Sequence, residues 1–510
     1  MSLKSHVILV FPLFYKWDPF SEAVIHIKKF IVYYQIKKKK MIQKPLSLSA
    51  ILLLSVFNIG CLNSSKPEKE EVKHDKQTYV LVHSAWLGAW QWENVTKELK
   101  ANGHTVITPD LPGHGDDKTS PASITMENYV KTLTDILDKQ NEPVILVGHS
   151  FNGITVSRVA ELRPKKIKSL VYLTAFLLPN GGSFFGAVNG VEGSTAVDNF
   201  RLSEDKTYAF VKEDEVQNAF AHDITKEAFD AAKPYIVPEP AAPLMYELEI
   251  TDQNFGNIPK YYIECTEDRA IPIEVQRAMY AGKVLKTYAI SSSHTPFFSQ
   301  PHKVASALLD VSNEQEKLNL IRTHFNDLKS IKFHRLFSND NQIFAHFESE
   351  KGGETYAYMA LLERNKNGKM LTAVQKVPEN QVGENTMFNG VKLLTPSKTS
   401  ANKLVVDTFI NDVWIGENVN AIQSFFKDGK IIQHNPSVEN NVDGLLKFMQ
   451  QIKAQGTKIK YQEILSTFAS KDMVMTYSRG LLGGEDHFFA DLFRLKNGKI
   501  IEHWDVIQKK

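Results

Sequence analysis

The chain has 510 residues, which is enough for about three domains at roughly 150 residues each. Its 60 lysines and arginines nearly balance 58 acidic residues, so the net charge of +2 gives no basis for expecting a nucleic-acid partner or an anionic membrane surface. The two cysteines, Cys61 and Cys265, are too few for a disulfide framework or a multi-cysteine metal site.

An export signal is predicted near the N-terminus. Basic residues precede an apolar run at about residues 46–59, and a charged, serine- and proline-containing tether follows Cys61. This order resembles a bacterial lipoprotein signal. The resemblance implies that Cys61 carries the lipid, which would anchor the protein on the periplasmic side or in the cell envelope. Asn58 stands where that signal usually has an aliphatic residue, so ordinary secretion or a plain membrane anchor stays open. Residues 1–40 are interpreted as an over-extended start.

After the tether, strands and helices alternate along the chain. An amphipathic helix, SITMENYVKTLTDILDKQ, separates two apolar segments that are short enough to be buried strands. Such alternation predicts a doubly wound α/β fold, in which helices cover a mostly parallel sheet. The predicted strands lie in TYVLVH, HTVITPD, PVILVG, IKSLVYLT, KYYIECTEDRAIP and KVLKTYAISSSHTPFFSQP.

A serine stands at the corner between a predicted strand and a predicted helix, in GHSFNG at residues 148–153. In the Gly-x-Ser-x-Gly elbow, glycines relieve crowding while a strained turn projects the serine hydroxyl above the sheet. Here Asn152 replaces the second glycine and Gly153 follows. The strand-turn-helix context indicates that Ser150 is a nucleophile, and the alternative is a serine that only caps a helix.

A serine nucleophile needs a base to take its proton and an acid to orient that base. In the elbow-containing fold the chain order is serine, acid, histidine. Asp268 and His294 follow the last two predicted strands and satisfy this order, with Glu267 as the competing acid. The remaining histidines considered do not satisfy both order and placement and are interpreted as surface or structural residues: His83, His104, His114, His149, His222 and His302.

Acyl transfer also needs donors for the negative charge that develops on the carbonyl oxygen. One donor is expected at the backbone N–H of Phe151, the residue after the nucleophile. The second is expected in the loop after the first strand, HSAWLGAWQW, where the Ala85 N–H is the candidate.

Five ordered motifs, VHSAWLGAWQW, PDLPGHG, GHSFNG, ECTEDRAIP and SSSHTPFFSQP, carry a family resemblance. Residues 78–310 resemble an α/β-hydrolase of the plant methylesterase and hydroxynitrile-lyase type. The resemblance implies a triad of Ser150, Asp268 and His294, no cofactor, and a small cap near residues 176–256 over an apolar pocket for a small ester. The pocket residues expected are Ser84, Trp86, Phe151, Phe176 and Phe297.

Two residues bear on the choice between esterase and lyase. Lyases of this type carry a lysine after the catalytic histidine to handle cyanide, and here Thr295 stands there. Esterases usually have glycine after the first-loop histidine where lyases have threonine, and here Ser84 follows His83, which points the other way. We give the missing lysine more weight and expect hydrolysis. Lyase activity and a noncatalytic, ligand-binding role are the alternatives.

An internal repeat appears in the second half of the chain. ALLERNKNGKMLTAVQKV at residues 360–377 aligns without gaps on ADLFRLKNGKIIEHWDVI at residues 490–507. Both segments hold an Asn-Gly pair that is typical of a tight hairpin turn between alternating strands. The second copy is preceded by a full helical portion, whereas the first has only EQEKLNLIRTHFNDLKS.

The second copy, residues 400–510, resembles a polyketide-cyclase-like (SnoaL-like) member of the nuclear-transport-factor-2-like cone folds. QHNPSVENNVDGL and DLFRLKNGKIIEHWDVIQ carry this resemblance, which implies an α+β region with a curved sheet around a pocket. Strand alternation puts His503 and Asp505 on one face, while the place of Asp491 depends on the hairpin register. Acid–base chemistry and a noncatalytic binding or dimerisation role both stay open. The pocket candidates are His434, Asp491, His503 and Asp505.

The first copy has lost this polar set, because Leu361, Ala373 and Gln375 occupy the positions of Asp491, His503 and Asp505. A structural or pairing role is expected for it. The predicted organisation is therefore a signal and tether at 1–77, an α/β-hydrolase domain at 78–312, a degenerate cone-fold copy at 313–395 and a complete copy at 396–510.

Overall fold

A computed structural model describes residues 76–379 and 386–510. The predicted signal, the tether and the lipidation candidate Cys61 lie outside the described residues. Within the two described ranges, no helix combines the length and the apolar character needed to cross a bilayer.

A six-stranded, all-parallel sheet forms the first half of the described chain. The strand order is β2-β1-β3-β4-β8-β9. Its central strand β3 is buried along its whole length, as expected for an apolar run covered on both faces. All six predicted strands are present: β1 (Thr78–Val82), β2 (Thr105–Ile107), β3 (Val144–His149), β4 (Ile167–Leu173), β8 (Lys260–Cys265) and β9 (Lys286–Ile290).

Helices cover both faces of this sheet, which confirms the doubly wound arrangement. Helices α2 (Met126–Asp138) and α3 (Asn152–Leu162) pack on the face that carries Val80. Helices α1 (Glu93–Ala101) and α11 (Pro301–His324) pack on the face that carries Leu81. The remaining helices of this half are α4 (Phe184–Val188), α5 (Thr195–Asp198), α6 (Val216–Phe220), α7 (Lys226–Ala232), α8 (Ala241–Leu244), α9 (Ile273–Tyr280) and α10 (Pro296–Ser299).

Between β4 and β8 the chain leaves the sheet to form the predicted cap. Short helices α4 to α8 alternate there with a three-stranded antiparallel sheet in the order β5-β6-β7. Its strands are Phe200–Leu202, Tyr208–Val211 and Glu239–Pro240. The cap is therefore inserted after β4, the strand that follows the nucleophile strand, and before β8, the strand that leads to the acid.

Two antiparallel sheets follow helix α11. The first is a four-stranded meander, β10-β11-β12-β13, and the second has the order β14-β18-β17-β16-β15. Two helices pack on the second sheet: α12 (Thr399–Phe409), which a π-helical segment extends at Ile410–Ile415, and α13 (Val442–Ala454). The strands are β10 (Lys332–Ser338), β11 (Gln342–Lys351), β12 (Glu354–Glu363), β13 (Lys369–Lys376), β14 (Ile432–Gln433), β15 (Ile459–Ser470), β16 (Met473–Leu482), β17 (Glu485–Lys496) and β18 (Lys499–Lys509).

The first antiparallel sheet is a middle layer, because both of its faces are buried. Ala360 and its same-face neighbours pack against helix α11, whereas Leu361 and Ala373 pack against the second sheet. The face of the first copy that corresponds to the polar face of the second is thus filled by apolar packing. Assignment of these sheets to the cone fold stays a prediction. Helix α11 also runs unbroken through residue 312, where a domain boundary is predicted.

Candidate active site

Ser150 occupies a strained corner directly after β3. Its φ is +56°, in the left-handed region that residues with a side chain rarely adopt. Neighbouring backbone holds it there: the Ser150 N–H donates to the Leu173 carbonyl at 3.3 Å, and its own carbonyl accepts from the Phe176 N–H at 3.1 Å. Such a conformation persists only where surrounding structure fixes it, and it points to a functional position.

The two glycines of GHSFNG are required by close approaches. A Cβ on Gly153 would lie 2.5 Å from the Phe176 carbonyl oxygen, and one on Gly148 would lie 2.7 Å from a Val156 methyl. The departure from the usual motif therefore has a simple reason, because the crowded position is 153 rather than 152. Asn152 instead uses its side chain, whose Nδ2 donates to the His83 carbonyl at 2.7 Å.

A hydrogen-bonded row joins Ser150, His294 and Asp268, all of which are buried. His294 Nε2 lies 2.8 Å from Ser150 Oγ, and His294 Nδ1 lies 2.7 Å from Asp268 Oδ2. The three side chains come from the carboxyl ends of β3, β8 and β9, where active sites of open α/β sheets collect. This arrangement is able to draw a proton from the Ser150 hydroxyl toward His294.

Asp268 accepts hydrogen bonds from three donors besides the His294 imidazole. Its Oδ1 accepts from the Ala270 and Ile271 N–H groups at 2.7 and 2.9 Å. Its Oδ2 also accepts from Thr174 Oγ1 at 2.5 Å. The competing acid, Glu267, is exposed and accepts a hydrogen bond from Ser291 Oγ. Asp268 is therefore the acid that lies beside His294.

Thr174 was not recognised from the sequence. It follows β4 directly, with φ at +35°, and β4 lies between the strands that carry the serine and the acid. A hydroxyl residue at the carboxyl end of that intervening strand is the signal that could have found it.

The two expected oxyanion donors are buried beside the serine. Ala85 lines the same cavity as Ser150, and Phe151 is the N-cap residue directly before helix α3. Within the described ranges, neither backbone N–H has a hydrogen-bond acceptor in the protein. Both groups are thus free to donate to a substrate oxygen.

The loop that carries Ala85 is tied down on either side of it. The Ser84 N–H donates to Gln91 Oε1 at 3.1 Å, and the Ser84 hydroxyl donates to the Ala85 carbonyl at 2.8 Å. The Trp86 N–H donates to Glu239 Oε2 at 3.0 Å. Glu239 belongs to cap strand β7, so the oxyanion loop and the cap share a buried anchor.

Glu239 is buried completely and has two further partners. His114 Nε2 lies 2.8 Å from its Oε2, and the Tyr129 hydroxyl donates to its Oε1 at 3.0 Å. Burial favours a neutral imidazole, but the Glu239 carboxylate outweighs this effect and raises the pKa of His114. This cluster was not predicted, because its members are far apart along the chain.

A second buried histidine supports the imidazole of the site. His149 Nε2 lies 2.9 Å from the His294 carbonyl oxygen, and the two rings are 4.8 Å apart. Burial, together with the nearby His294, lowers the pKa of His149 well below its usual value. His149 therefore stays neutral and donates to the backbone of the His294 loop.

A cavity of about 390 Å³ is lined by Ser150 and His294. Its wall is mostly apolar. Lys233 is the one lysine among its described lining residues, and it forms an ion pair with the exposed Glu213 at 2.5 Å. Cap and loop residues supply most of the wall: Trp86, Leu87, Trp90, Phe210, Val216, Phe220, Ile224, Ile236, Pro238 and Phe298.

Two of the expected pocket residues, Ser84 and Trp86, line this cavity, and three do not. Phe297 is wrong because it packs in the core against Trp92 and His149. Phe176 and Phe151 are wrong because both pack edge-to-face on Phe184, on the inner side of the cap. Among the described residues, the aromatic side chains that line the cavity come half from the cap (Phe210, Phe220 and Phe229) and half from segments outside it (Trp86, Trp90 and Phe298).

Comparison with known proteins agrees with this geometry. A sequence model described as the alpha/beta hydrolase family matches residues 79–307. The chain is 30% identical to methylesterase 9 of Arabidopsis thaliana, over 46% of this chain and 98% of that protein. The chain belongs to the alpha/beta hydrolase family. It is also 30% identical to a pyrethroid hydrolase of Sphingobium wenxiniae, over 46% of this chain and 87% of that protein.

The chain also matches longer chloroplast proteins of Arabidopsis thaliana, which are named as putative methylesterases. It is 33% and 30% identical to two of them, over 46% and 47% of its own length. The chain spans only 63% and 57% of the length of these two relatives. The match to the family model ends at residue 307, before the two antiparallel sheets begin.

A second polar cluster lies in the last sheet. Asp491 and Asp505 are direct cross-strand neighbours of β17 and β18, and His503 shares their face. His503 Nε2 lies 3.2 Å from Asp491 Oδ1. Burial raises the pKa of Asp505 to about 6, because His503 only partly offsets the lost hydration and the Asp491 charge adds to the shift.

His434 does not join this cluster. In the parallel pairing of β14 with β18, Gln433 lies opposite His503, so the next side chain points to the other face. There His434 stacks on Trp504 with ring centres 4.6 Å apart, and its Nε2 lies 2.9 Å from Glu502 Oε1. Prediction of His434 as a pocket residue was wrong because a two-residue strand gives no readable alternation.

Proposed function

We propose that this chain is a carboxylic ester hydrolase in which Ser150 is the nucleophile, His294 the general base and acid, and Asp268 the orienting carboxylate. The observation that carries the proposal is the hydrogen-bonded row from Ser150 Oγ through His294 to Asp268 at a cavity wall. Two further supports are the strained backbone of Ser150 and the names of its relatives, a methylesterase and a pyrethroid hydrolase.

In the proposed first half-reaction, Ser150 Oγ attacks the ester carbonyl carbon while His294 Nε2 takes the hydroxyl proton. The Ala85 and Phe151 N–H groups stabilise the oxyanion of the tetrahedral intermediate. As the C–O bond of the ester breaks, His294 returns the proton to the departing alcohol. A water molecule then attacks the acyl-serine in the same way and releases the acid.

The cavity supports a substrate with apolar groups on at least one side of the ester. Its wall holds aromatic and aliphatic side chains, and its one ion pair is at exposed residues. A charged acid or alcohol portion would lose hydration there without a partner, which is unfavourable. We therefore propose small, uncharged aryl or methyl esters as the substrate class.

A hydroxynitrile-lyase reaction is the competing proposal, and Ser84 is the residue that favours it. Its hydroxyl, however, donates to the neighbouring Ala85 carbonyl. Departing cyanide needs a cation, and Thr295 follows His294 with its hydroxyl donating to the Phe220 carbonyl at 2.9 Å. These contacts support hydrolysis over cyanohydrin cleavage.

The direct test is Ser150→Ala, with Ser123→Ala as a control at an exposed serine. A fluorophosphonate probe should label the wild type and the control but not the Ser150→Ala protein, and ester turnover should follow the same pattern. Turnover that survives Ser150→Ala would overturn the assignment. A wild type that neither reacts with the probe nor turns over any ester would favour the noncatalytic alternative.

A further inference from the structure

Asp491, His503 and Asp505 form a compact side-chain cluster that the proposed ester hydrolysis does not use. One ligand atom from each lies within 4.8 Å of the other two. The cluster is on the helix-covered face of the last sheet, where Phe489 and Phe493 pack with helices α12 and α13. It is therefore a separate site from the cavity at Ser150.

The hydrogen bonds of His503 leave one ring nitrogen directed into the cluster. Its Nδ1 lies 2.8 Å from Gln433 Oε1, an acceptor that requires a proton on Nδ1. Nε2 then carries the lone pair in the neutral ring and faces Asp491 Oδ1 at 3.2 Å. This is the pattern seen in metal-binding histidines, whose second nitrogen is fixed by an outer acceptor.

The carboxylates carry more negative charge than their neighbours offset. Asp491 accepts from the Tyr461 hydroxyl at 3.0 and 3.2 Å, and Asp505 Oδ2 accepts from Asn435 Nδ2 at 2.5 Å. Both donors are neutral. Asp505 is 92% buried, and its Oδ1 has no hydrogen-bond partner among the described residues. Two adjacent buried carboxylates, one of which has an oxygen without a hydrogen-bond donor, form a site where a divalent cation would bind favourably.

We propose that Asp491, His503 and Asp505 bind one divalent first-row transition-metal cation, with Zn²⁺ as the representative ion. Two ligands about 2.1 Å from a tetrahedral Zn²⁺ are separated by about 3.4 Å, close to the observed 3.2 Å between His503 and Asp491. Imidazole nitrogen favours such ions over Mg²⁺, which prefers oxygen ligands and retains water. Gln433, Tyr461 and Asn435 would orient the three ligands.

Access to the site is through His503, whose side chain retains 11% exposure while those of the two aspartates are nearly closed off. Three protein ligands leave one position of a tetrahedral ion for water or another small ligand.

The test is metal binding by the tag-free protein after chelator treatment and dialysis. Titration calorimetry and metal analysis after equilibrium dialysis should show one equivalent of Zn²⁺ and much weaker binding of Mg²⁺. Asp491→Asn and Asp505→Asn, which keep the side-chain shape, should each weaken Zn²⁺ binding about 100-fold. Gln433→Leu should weaken it about tenfold, since outer partners typically contribute that much.

Asp486→Asn is the matched control, because Asp486 lies on the same strand but is exposed. It should bind Zn²⁺ as the wild type does. Circular dichroism and melting curves of the metal-free proteins separate loss of ligands from loss of fold. Absence of saturable binding in the wild type would overturn the proposal and leave the cluster as a proton-sharing group. Equal Zn²⁺ affinity in the Asp491→Asn and control proteins would also overturn it.

Discussion

The side chain of Asn152 donates a hydrogen bond to the backbone carbonyl of His83 at 2.7 Å, which links the helix after the nucleophile to the loop that carries the second oxyanion donor. Asn152 is 1% exposed, and its Oδ1 accepts from Thr155 Oγ1 at 2.7 Å. Asn152 thereby ties together the two segments that carry the Ala85 and Phe151 N–H groups.

We expect Asn152→Ala to lower kcat/KM for ester hydrolysis about tenfold or more, because the two oxyanion donors lose their fixed spacing. Loss of a whole donor costs about 100-fold to 1,000-fold, which sets the upper limit. Steady-state kinetics on an aryl ester would measure the change. Thr155→Val removes the other hydrogen bond of Asn152 and should affect stability more than rate. Equal rate losses in the two variants would contradict the positioning role.

The choice of acid can be tested by comparing Asp268→Asn with Glu267→Gln. An amide at 268 would hold His294 in the wrong tautomer, which lowers kcat about 10⁴-fold. Glu267 is exposed and bonded to Ser291, so its amide should change the rate little. Single-turnover rates would resolve both effects. A larger loss from Glu267→Gln would reverse the assignment.

The buried His114–Glu239 pair makes stability depend on pH. Because Glu239 raises the pKa of His114 above its usual 6.5, the pair contributes fully below pH 6.5 and loses strength as the pH rises through the raised value. Urea unfolding of wild type and His114→Gln should therefore show a large stability difference at pH 6 and a smaller one at pH 9. A difference that is constant or grows with pH would show that His114 is not charged in the folded protein.

The esterase proposal makes a prediction for cyanohydrins. The wild type should hydrolyse small aryl or methyl esters and release little cyanide from mandelonitrile, because no free cation lies beside His294 among the described lining residues. Thr295→Lys combined with Ser84→Thr should raise the cyanide release. Thr295→Val is the control, since it removes the bond to the Phe220 carbonyl without adding charge. Faster cleavage of mandelonitrile than of any ester by the wild type would contradict the proposal.

The sequence was most informative where one local pattern dictates geometry. Ser150 follows a strand that reads as a continuous apolar run, His294 follows the last strand of the same sheet, and parallel strands bring their carboxyl ends to one edge. The sequence was least informative where tertiary packing determines whether a side chain faces the core or the cavity. Phe176 and Phe297 are as apolar as the cavity residue Phe220, and nothing local distinguishes a core aromatic from one on the cavity wall.

Strand register is a second feature that could not be predicted from the sequence. Asp491 meets Asp505 because the β17–β18 pairing shifts by one residue after Arg494, next to the Asn497–Gly498 turn. An irregularity of this kind depends on how the hairpin packs against its neighbours, so it is not visible in the repeat. The same reasoning explains His434, whose direction follows from the pairing of a short strand with β18.

The middle sheet has a consequence for how this chain could have been assembled. From Ala357 to Glu363 every residue of β12 is buried, so this part of the sheet depends on a neighbour at each face to keep its side chains from water. A duplicated unit without helices of its own needs a neighbouring layer on each face of its sheet, so its folding depends on both neighbours. Deleting either neighbour would expose an apolar face of the middle sheet, so the two halves would be expected to be inherited together.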